Sequence, residues 1–265
     1  MVATNSVLPG TGNVSAGTSI FAMIVLPEPL KGYYPEIDVV TTPDGSPVAM
    51  VHCNNCCSEL DAWVKMFGEF AALSGNNMDR SELYELLYTN ALKGDTDCGG
   101  TVAYNFLSGE PVAGAENGRP MYFRDPEGRF GLANFFRAQL YSSMAALKLG
   151  MDILFEKEKV SVEKITGHGG LFKVKGVAQQ FLADGLGSAV SVMKTAGEGG
   201  AWGMAILAAY AACGNGKSLA EYLEKEVFAS MESVTVMPDE KGAAGFSAFI
   251  ANYKKGLAAE YAAAK

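Results

Sequence analysis

The chain has 265 residues, 49% of them apolar and 19% charged, enough to bury the core of one large domain or two small ones. The formal net charge of −8 argues against a general nucleic-acid binder, which would present a basic face. No stretch of about 18 uncharged apolar residues occurs, which argues against a membrane-spanning helix. The apolar run at residues 19–26 lacks the basic residues of a signal peptide, so the expected compartment is the cytoplasm.

The cysteines are odd in number and unevenly spaced, which in a reducing cytoplasm predicts free thiols. They are Cys53, Cys56, Cys57, Cys98 and Cys213. The segment HCNNCC, which starts at His52, suggests a metal site, but a structural zinc site needs four ligands, usually from two separate pairs. The only other histidine is His168. A metal or thiol-redox protein is therefore the weakest alternative for this chain.

The first hundred residues are predicted to hold strands at 15–27, 37–42 and 47–52, then helices at 57–73 and 78–93. Gly17-Thr18-Ser19 opens the first strand, and a hydroxyl pair beside a glycine can bind a terminal phosphate, although such a group more often only starts a strand. Ser58 is the expected N-cap of the first helix, and either Asp79 or Ser81 caps the second.

The rest of the chain alternates strands and helices, which predicts an α/β or α+β protein. Asp95 and Asp97 lie in a glycine-bounded loop that reads as a solvated turn. The predicted elements are a strand at 101–107, a polar loop at 108–128, a long helix at 131–158, a strand at 162–166, a helix at 177–187, a strand at 188–195, helices at 199–213 and 218–228, a strand at 232–238 and a helix at 246–264.

Gly169-Gly170 lies between a predicted strand and a predicted helix. Backbone N–H groups without neighbouring side chains can approach a phosphate there, and a helix N-terminus adds partial positive charge. The same pair could equally form a tight turn that binds nothing. It matches neither GxGxxG nor GxxxxGK[ST]. The segment GEGGAWG, from Gly197 to Gly203, has the wrong register for a dinucleotide fingerprint and reads as a glycine-rich helix entry.

Four stretches, taken in order, carry a resemblance to a known family: SAGTSIFAM, YNFLSGEP, RAQLYSSMAALKLGMDIL, and the long segment from ITGHGG to MAILAAYAA. They resemble the C-terminal lobe of the FGGY carbohydrate kinases, which are pentulose, hexulose and glycerol kinases of the actin-like ATPase superfamily. The resemblance covers nearly the whole chain. It implies an α/β, ribonuclease-H-like lobe over residues 1–265, in which a central mixed sheet is flanked by helices.

The resemblance also implies which residues contact a bound nucleotide. In the family, the Gly-Thr-Ser group approaches the terminal phosphates of ATP, which here implies Gly17, Thr18 and Ser19. The family's small-residue helix corresponds to residues 201–209. The remaining implied contacts are Ser108, Gly109 and Glu110 of the LSGE loop, Gly169 and Gly170 on the adenosine and inner-phosphate side, and Leu171 and Lys173 beside the adenine.

Members of the family also have an N-terminal lobe with most of the sugar site and, in a Gly-Asp stretch, the general-base aspartate. The chain thus resembles the ATP-binding half of a kinase, xylulokinase-like in type, that transfers the γ-phosphoryl group of ATP, with Mg²⁺, to a ketose or polyol hydroxyl. The implied partners are ATP or ADP, the sugar and the N-terminal lobe, and no catalytic residue is expected here. A face left uncovered by that lobe would favour a homodimer. The alternative is a free-standing actin-like module that binds nucleotide or a partner without catalysis.

The sequence departs from the family pattern in the nucleotide region and beside it. The join between the Gly-Gly turn and the next helix is longer than usual, which bears on the adenine contacts beyond Gly170. The loop after SGE is rewritten as PVAGAENGRPMYFRDPEG, and the acidic residue common in the long helix is replaced within YSSMAAL.

Overall fold

The protein is described from a computed structural model, over residues 1–193 and 199–265. Seven strands form one mixed sheet, in the order β3-β4-β2-β1-β7-β8-β9, and β5 pairs with β6 in a separate hairpin. In the large sheet, β7 runs parallel to β1 and β8, and the other neighbours are antiparallel. The strands are Thr11–Ala16 (β1), Ile20–Val25 (β2), Asp38–Thr41 (β3), Pro47–Cys53 (β4), Thr101–Tyr104 (β5), Met121–Arg124 (β6), Lys164–His168 (β7), Ala189–Met193 (β8) and Ser233–Val236 (β9).

The helices cover the sheet around one long central helix, α3. Most residues of α3 are buried, because it packs against β2, β4 and β5 and against four other helices, α1, α2, α4 and α7. Its buried residues include polar side chains, such as Arg137 and Gln139, beside the apolar ones, so the helix is enclosed on several sides. The helices are Cys57–Leu73 (α1), Arg80–Ala91 (α2), Leu132–Asp152 (α3), Val177–Leu186 (α4), Gly199–Cys213 (α5), Leu219–Tyr222 (α6) and Glu240–Ala263 (α7).

The first predicted strand, at residues 15–27, is two strands in the structure. Gly17-Thr18-Ser19 forms the turn between β1 and β2, and the Gly17 amide donates to the Ser19 carbonyl at 2.8 Å. The apolar alternation continues through both strands, which is why the pattern alone read as a single element.

Strand β6 lies inside the segment predicted to be a loop. Residues Met121–Arg124 pair with Thr101–Tyr104, which ends earlier than the predicted strand at 101–107. Prolines on both sides of β6, at 120 and 126, hide the short strand in the sequence. Helix α7 begins six residues before the predicted start, because the Asp239 side chain accepts from the Gly242 amide at 2.8 Å and caps it.

The structure shows which residues occupy the cap positions of α1 and α2, and it tests both predicted caps. Asp79, not Ser81, caps α2 in a reciprocal capping box with Glu82, at 2.9 and 3.0 Å. The prediction that Ser58 caps α1 is wrong, since Cys56 occupies the cap position without a side-chain hydrogen bond and Ser58 lies within the first turn.

The Asp95 loop is held more firmly than a solvated turn. The Asp95 carboxylate accepts from the Arg129 guanidinium at 2.6 Å and from the Asn134 side chain at 2.8 Å. The hydrogen bond from Arg129 is the main cause that lowers the pKa of Asp95. Asp97 caps the following turn by accepting from the Gly99 amide at 2.9 Å.

Helix α5 contributes to a second, smaller core with the N-terminal segment and α6. Ile206 is buried there, whereas Met204 on the same helix is 68% exposed. The homodimer that the sequence predicts, through a face that an N-terminal lobe would cover, stays a prediction. The last two residues of the predicted strand at 188–195, and Gly197 and Glu198 of the glycine-rich segment, lie outside the described residues.

Within residues 1–193 and 199–265, no helix combines the length and the apolar character that crossing a membrane requires.

Candidate nucleotide site

A cleft of about 660 Å³ opens at the end of the first hairpin, between the Gly-Gly turn and helices α1 and α2. This volume lies within the roughly 300–1,000 Å³ that is usual for small-molecule sites. The residues that line it are Gly17, Thr18, Cys57, Asp61, Arg80, Ser81, Tyr84, Glu85, Tyr88, Gly170, Lys173 and Val174. The predicted residues Gly17, Thr18, Gly170 and Lys173 therefore come together in one cavity, although they are far apart in sequence.

The Gly17–Thr18 turn is fastened to the first residues of α1. The Cys57 amide donates to the Gly17 carbonyl at 3.0 Å, and the Cys56 amide donates to the Thr18 carbonyl at 2.9 Å. No side chain caps this helix, so its remaining first-turn amides keep their partial positive charge beside the turn. Ser19 accepts the turn's internal hydrogen bond and does not line the cleft.

The two glycines of the Gly-Gly turn have different roles. Gly169 adopts φ +105°, and a Cβ there would overlap the backbone of Ala16, so this position must be glycine for the strand to turn. Gly170 has no atom within 4 Å of where its Cβ would stand, because that direction opens into the cleft. Close backbone approach to a ligand is available at Gly170 and not at Gly169.

The residues after the Gly-Gly turn separate into core and cleft. Leu171 is 1% exposed and packs in the main core with Phe172, so its side chain faces away from the cavity. Lys173 is exposed and lines the cleft. Of the segment predicted to flank an adenine, Lys173 alone reaches the cavity, and Leu171 serves packing.

The wall made by α1 and α2 was not predicted from the sequence as part of the site. Tyr84 donates a hydrogen bond to Asp61 and accepts one from Arg80 at 3.2 Å, and Arg80 forms an ion pair with Asp61 at 3.2 Å. Burial, and then the hydrogen bond to Asp61, raise the pKa of Tyr84 to about 12, so the hydroxyl stays protonated at neutral pH.

One signal in the sequence could have identified this wall. Ser81, Tyr84, Glu85 and Tyr88 are spaced i, i+3, i+4 and i+7, which places them on one side of α2. The periodicity predicts a shared face, but only the packing of α2 shows that this face turns towards the cleft.

The LSGE loop does not line this cleft. Its Ser108 and Gly109 lie against Asn54 and Asn55, which join β4 to α1, and Gly109 borders a separate surface cavity. Glu110 is fully buried, and its carboxylate accepts from the Asn55 amide and side chain, both at 3.1 Å. Burial raises the pKa of Glu110, against the opposing effect of these hydrogen bonds. The loop therefore packs against the segment that precedes α1 and does not line the cavity.

The HCNNCC segment does not form a metal centre. Within residues 1–193 and 199–265, no three His, Cys, Asp or Glu side chains are arranged to hold a metal ion. His52 is exposed and Cys53 is buried, because adjacent residues of strand β4 point to opposite faces of the sheet. The cysteines of this segment are free thiols.

Solved sugar kinases have the same fold as this chain. A xylulose kinase and a gluconate kinase, both from Lactobacillus acidophilus, match with TM-scores of 0.73 and 17% identity, covering 99% of this chain and 50% of theirs. A glycerol kinase from Plasmodium falciparum, solved with ADP, matches with a TM-score of 0.70 and 15% identity, covering 98% of this chain and 49% of its own. The chain spans about half the length of the structures it matches. The predicted ribonuclease-H-like fold, a mixed sheet flanked by helices, is confirmed.

A sequence comparison with protein families identifies the family directly. The model of the C-terminal domain of the FGGY family of carbohydrate kinases matches residues 12–212. The chain therefore belongs to the FGGY family of carbohydrate kinases, and it corresponds to their C-terminal domain, as the sequence motifs predicted. No curated protein sequence matches it closely enough to count as a relative.

Proposed function

We propose that this chain is the ATP-binding half of a sugar kinase that phosphorylates a hydroxyl of a ketose or polyol in the cytoplasm. The observation that carries the proposal is the convergence of Gly17 and Thr18 with Gly170 and Lys173 in one cleft. These residues come from segments about 150 positions apart, and each suits a polyphosphate for a different physical reason. The family and the fold agree with this function.

The turn between β1 and β2 is the proposed phosphate end of the cleft. Its backbone is exposed at Gly17 and Thr18, and the uncapped N-terminus of α1, a helix of 17 residues, lies directly behind it. Helix N-termini favour anions because their unpaired amides and the helix dipole present positive charge. Lys173 adds a full positive charge to the lining of the same cavity.

The α1–α2 wall is the proposed nucleoside end. Tyr84 and Tyr88 contribute aromatic surface there, and their rings meet edge to face with centroids 5.5 Å apart. An aromatic ring beside a charged pair can hold a flat base and bond to its polar edge. The solved glycerol kinase with ADP is consistent with a nucleotide in this fold.

Mg²⁺ is proposed to enter with the phosphates. Asp61 and Glu85 are the carboxylates among the described residues that line the cleft, and Asp61 is already paired with Arg80. Mg²⁺ at kinase sites is typically held by substrate phosphates, water and one or two carboxylates, so this donor set fits an ion carried by ATP. Bound Mg²⁺ would neutralise phosphate charge during phosphoryl transfer.

Nucleotide binding by Gly170→Val tests the proposal. A valine at this position points into the cleft without meeting protein atoms, so the variant should fold and exclude a phosphate from the backbone. We expect ADP binding, measured by titration calorimetry, to weaken by about 2–4 kcal/mol through lost charge-assisted hydrogen bonds.

Gly131→Val is the matched control for this experiment. Gly131 also has an open Cβ direction and extended backbone, and it lies at the N-cap of α3 outside the cleft. It should bind ADP as the parent chain does. Equal affinity of all three proteins would move the site elsewhere, and a folded parent chain that binds no adenine nucleotide would overturn the proposal.

A further inference from the structure

A pair of adjacent thiols lies where α1 meets the cleft. The sulfur atoms of Cys56 and Cys57 are 3.5 Å apart. Cys57 is partly exposed and lines the cleft, whereas Cys56 is 1% exposed and lies beneath it. The backbone amides of the same two residues hold the Gly17 and Thr18 carbonyls. The pair therefore connects thiol chemistry to the turn at the proposed phosphate end.

We propose that Cys56 and Cys57 are a modification site, which a two-electron oxidant such as hydrogen peroxide converts to a disulfide, and that this disulfide weakens nucleotide binding in the cleft. The second half of the proposal rests on the proposed function. The first half concerns only the two thiols and stands by itself.

The oxidation balances in two steps. The Cys57 thiol reacts with hydrogen peroxide to give a sulfenic acid and one water. The Cys56 sulfur then displaces the hydroxyl from the Cys57 sulfur, so that a sulfur–sulfur bond forms and the Cys56 proton leaves with the hydroxyl as a second water. Two thiols lose two electrons in total, and peroxide is reduced to water.

Exposure decides which cysteines react. Cys53 and Cys56 also form a C-x-x-C pair, but Cys53 is fully buried and Cys56 is 1% exposed, so an oxidant has no access to either. Cys57 is accessible to an oxidant because it lines the cleft, and the sulfur atom beside its own belongs to Cys56. The hydrogen bond with Cys57, and then burial, raise the pKa of Cys56, so Cys57 is the first of the two thiols to react.

Chain geometry makes such a disulfide reversible. The Cα atoms of adjacent residues are about 3.8 Å apart, which is shorter than the roughly 4.4–6.8 Å that unstrained disulfides span. Strained disulfides are reduced readily, so the bond would form under oxidant and be lost in a reducing cytoplasm. Closing the ring requires the peptide between Cys56 and Cys57 to shift, and that peptide carries the amide that holds Gly17.

Mapping of the oxidised chain tests the assignment. The whole reduced chain is treated with hydrogen peroxide and then denatured, the remaining thiols are alkylated, and the tryptic peptide 32–65 is sequenced by mass spectrometry. We expect the alkyl group on Cys53 and a disulfide between Cys56 and Cys57. Cys53→Ala and Cys213→Ser should form the same bond. An alkyl group on Cys57 with a Cys53–Cys56 bond, a sulfinic acid at Cys57, or no oxidation would each overturn the assignment.

ADP titration of the mapped protein tests the effect on binding. The oxidised chain should bind ADP about tenfold more weakly than the reduced chain, the scale of one lost hydrogen bond, and dithiothreitol should restore the affinity. Unchanged affinity with the disulfide mapped would overturn the link to the cleft. A reduced chain that binds no ADP would instead contradict the proposed function and leave the mapped disulfide in place.

Discussion

Gly169 and Gly170 are adjacent, yet the physical demands on them differ. Gly169 has positive φ and its missing Cβ makes room for the Ala16 backbone. Gly170 has neither constraint, so its side-chain space is free for a ligand. The first glycine shapes the turn, and the second leaves the cleft open.

The Gly169→Ala variant should therefore lose stability, in contrast to Gly170→Ala. An alanine at Gly169 would adopt an unfavourable positive φ and would also overlap the backbone of Ala16. We therefore expect a loss of about 2–4 kcal/mol in the free energy of unfolding. Gly170→Ala should change it by less than about 1 kcal/mol. Urea unfolding of both variants makes the comparison, and equal stabilities would contradict the role assigned to the turn.

Glu110 provides a pH test at the residue scale. Burial raises the pKa of Glu110 above its ordinary value of 4.5. Between pH 4.5 and the raised pKa of the folded state, the folded chain binds a proton that the unfolded chain does not. Its contribution to stability is present at low pH and is lost as the pH rises through the folded-state pKa.

Glu110→Gln mimics the protonated form at every pH. The variant should be more stable than the parent at pH 7, and the difference should shrink as the pH falls through the folded-state pKa of Glu110 towards 4.5. Urea unfolding at intervals from pH 7 down to pH 4 measures this. A difference that stays constant, or that grows as the pH falls, would show that the carboxyl is not disfavoured by burial.

At the scale of elements, Asn55 joins the LSGE loop to the start of α1. Its side-chain oxygen accepts from the amides of Leu107 and Ser108 at 2.9 and 3.1 Å, and its side-chain nitrogen donates to the Ser108 carbonyl and to Glu110. The side chain is buried, so few waters can replace these bonds.

Asn55→Ala should cost about 2–4 kcal/mol of stability, because it leaves several buried groups without partners. Asn54→Ala is the control, since Asn54 is exposed and donates a single bond to the Gly109 carbonyl at 2.8 Å. Its cost should be about 0.5–1 kcal/mol. Thermal unfolding of the two variants measures both losses of stability. Similar losses would mean that the LSGE loop is held by other contacts.

Local patterns predicted most helices and the main strands, because each buries a face with a regular period. Helix α1 begins and ends where its apolar spacing indicated, and the structure places Gly17, Gly170 and Lys173 in one cleft. Strand β6 was missed because it is short and flanked by prolines, and its partner β5 supplies its stability.

The α1–α2 wall and the hydrogen bonds of Asn55 could not be predicted, for a different reason. Tyr84 and Asp61 belong to separate helices, and their contact depends on how those helices pack. Asn55 is an ordinary polar residue in the sequence, and only the burial of Glu110 beside it makes it structurally important. Long-range polar contacts of this kind leave no periodic trace in a single sequence.

At the scale of the whole molecule, the cleft is built from one domain of a larger fold. The chain spans about half the length of the solved kinases that share its fold, and the family model describes a C-terminal domain. The proposed phosphate end is built from this chain, and the family resemblance implies that most of the sugar site lies in an N-terminal lobe. A kinase reaction needs nucleotide, acceptor hydroxyl and base within about 3–3.5 Å contacts.

We therefore expect the 265-residue chain by itself to bind ADP without sugar-dependent turnover. The described carboxylates of the cleft are Asp61, which is engaged by Arg80 and Tyr84, and Glu85 on α2, and neither stands in the sequence context of the family's base. Absence of a general base alone costs about 100- to 10,000-fold in rate, and absence of an acceptor site lowers it further. ADP release by the purified chain, measured against a panel of ketoses and polyols, should equal the rate without sugar. Robust sugar-dependent release that Asp61→Asn or Glu85→Gln abolishes would show that this chain contains its own base, and that the division of labour between two lobes is wrong.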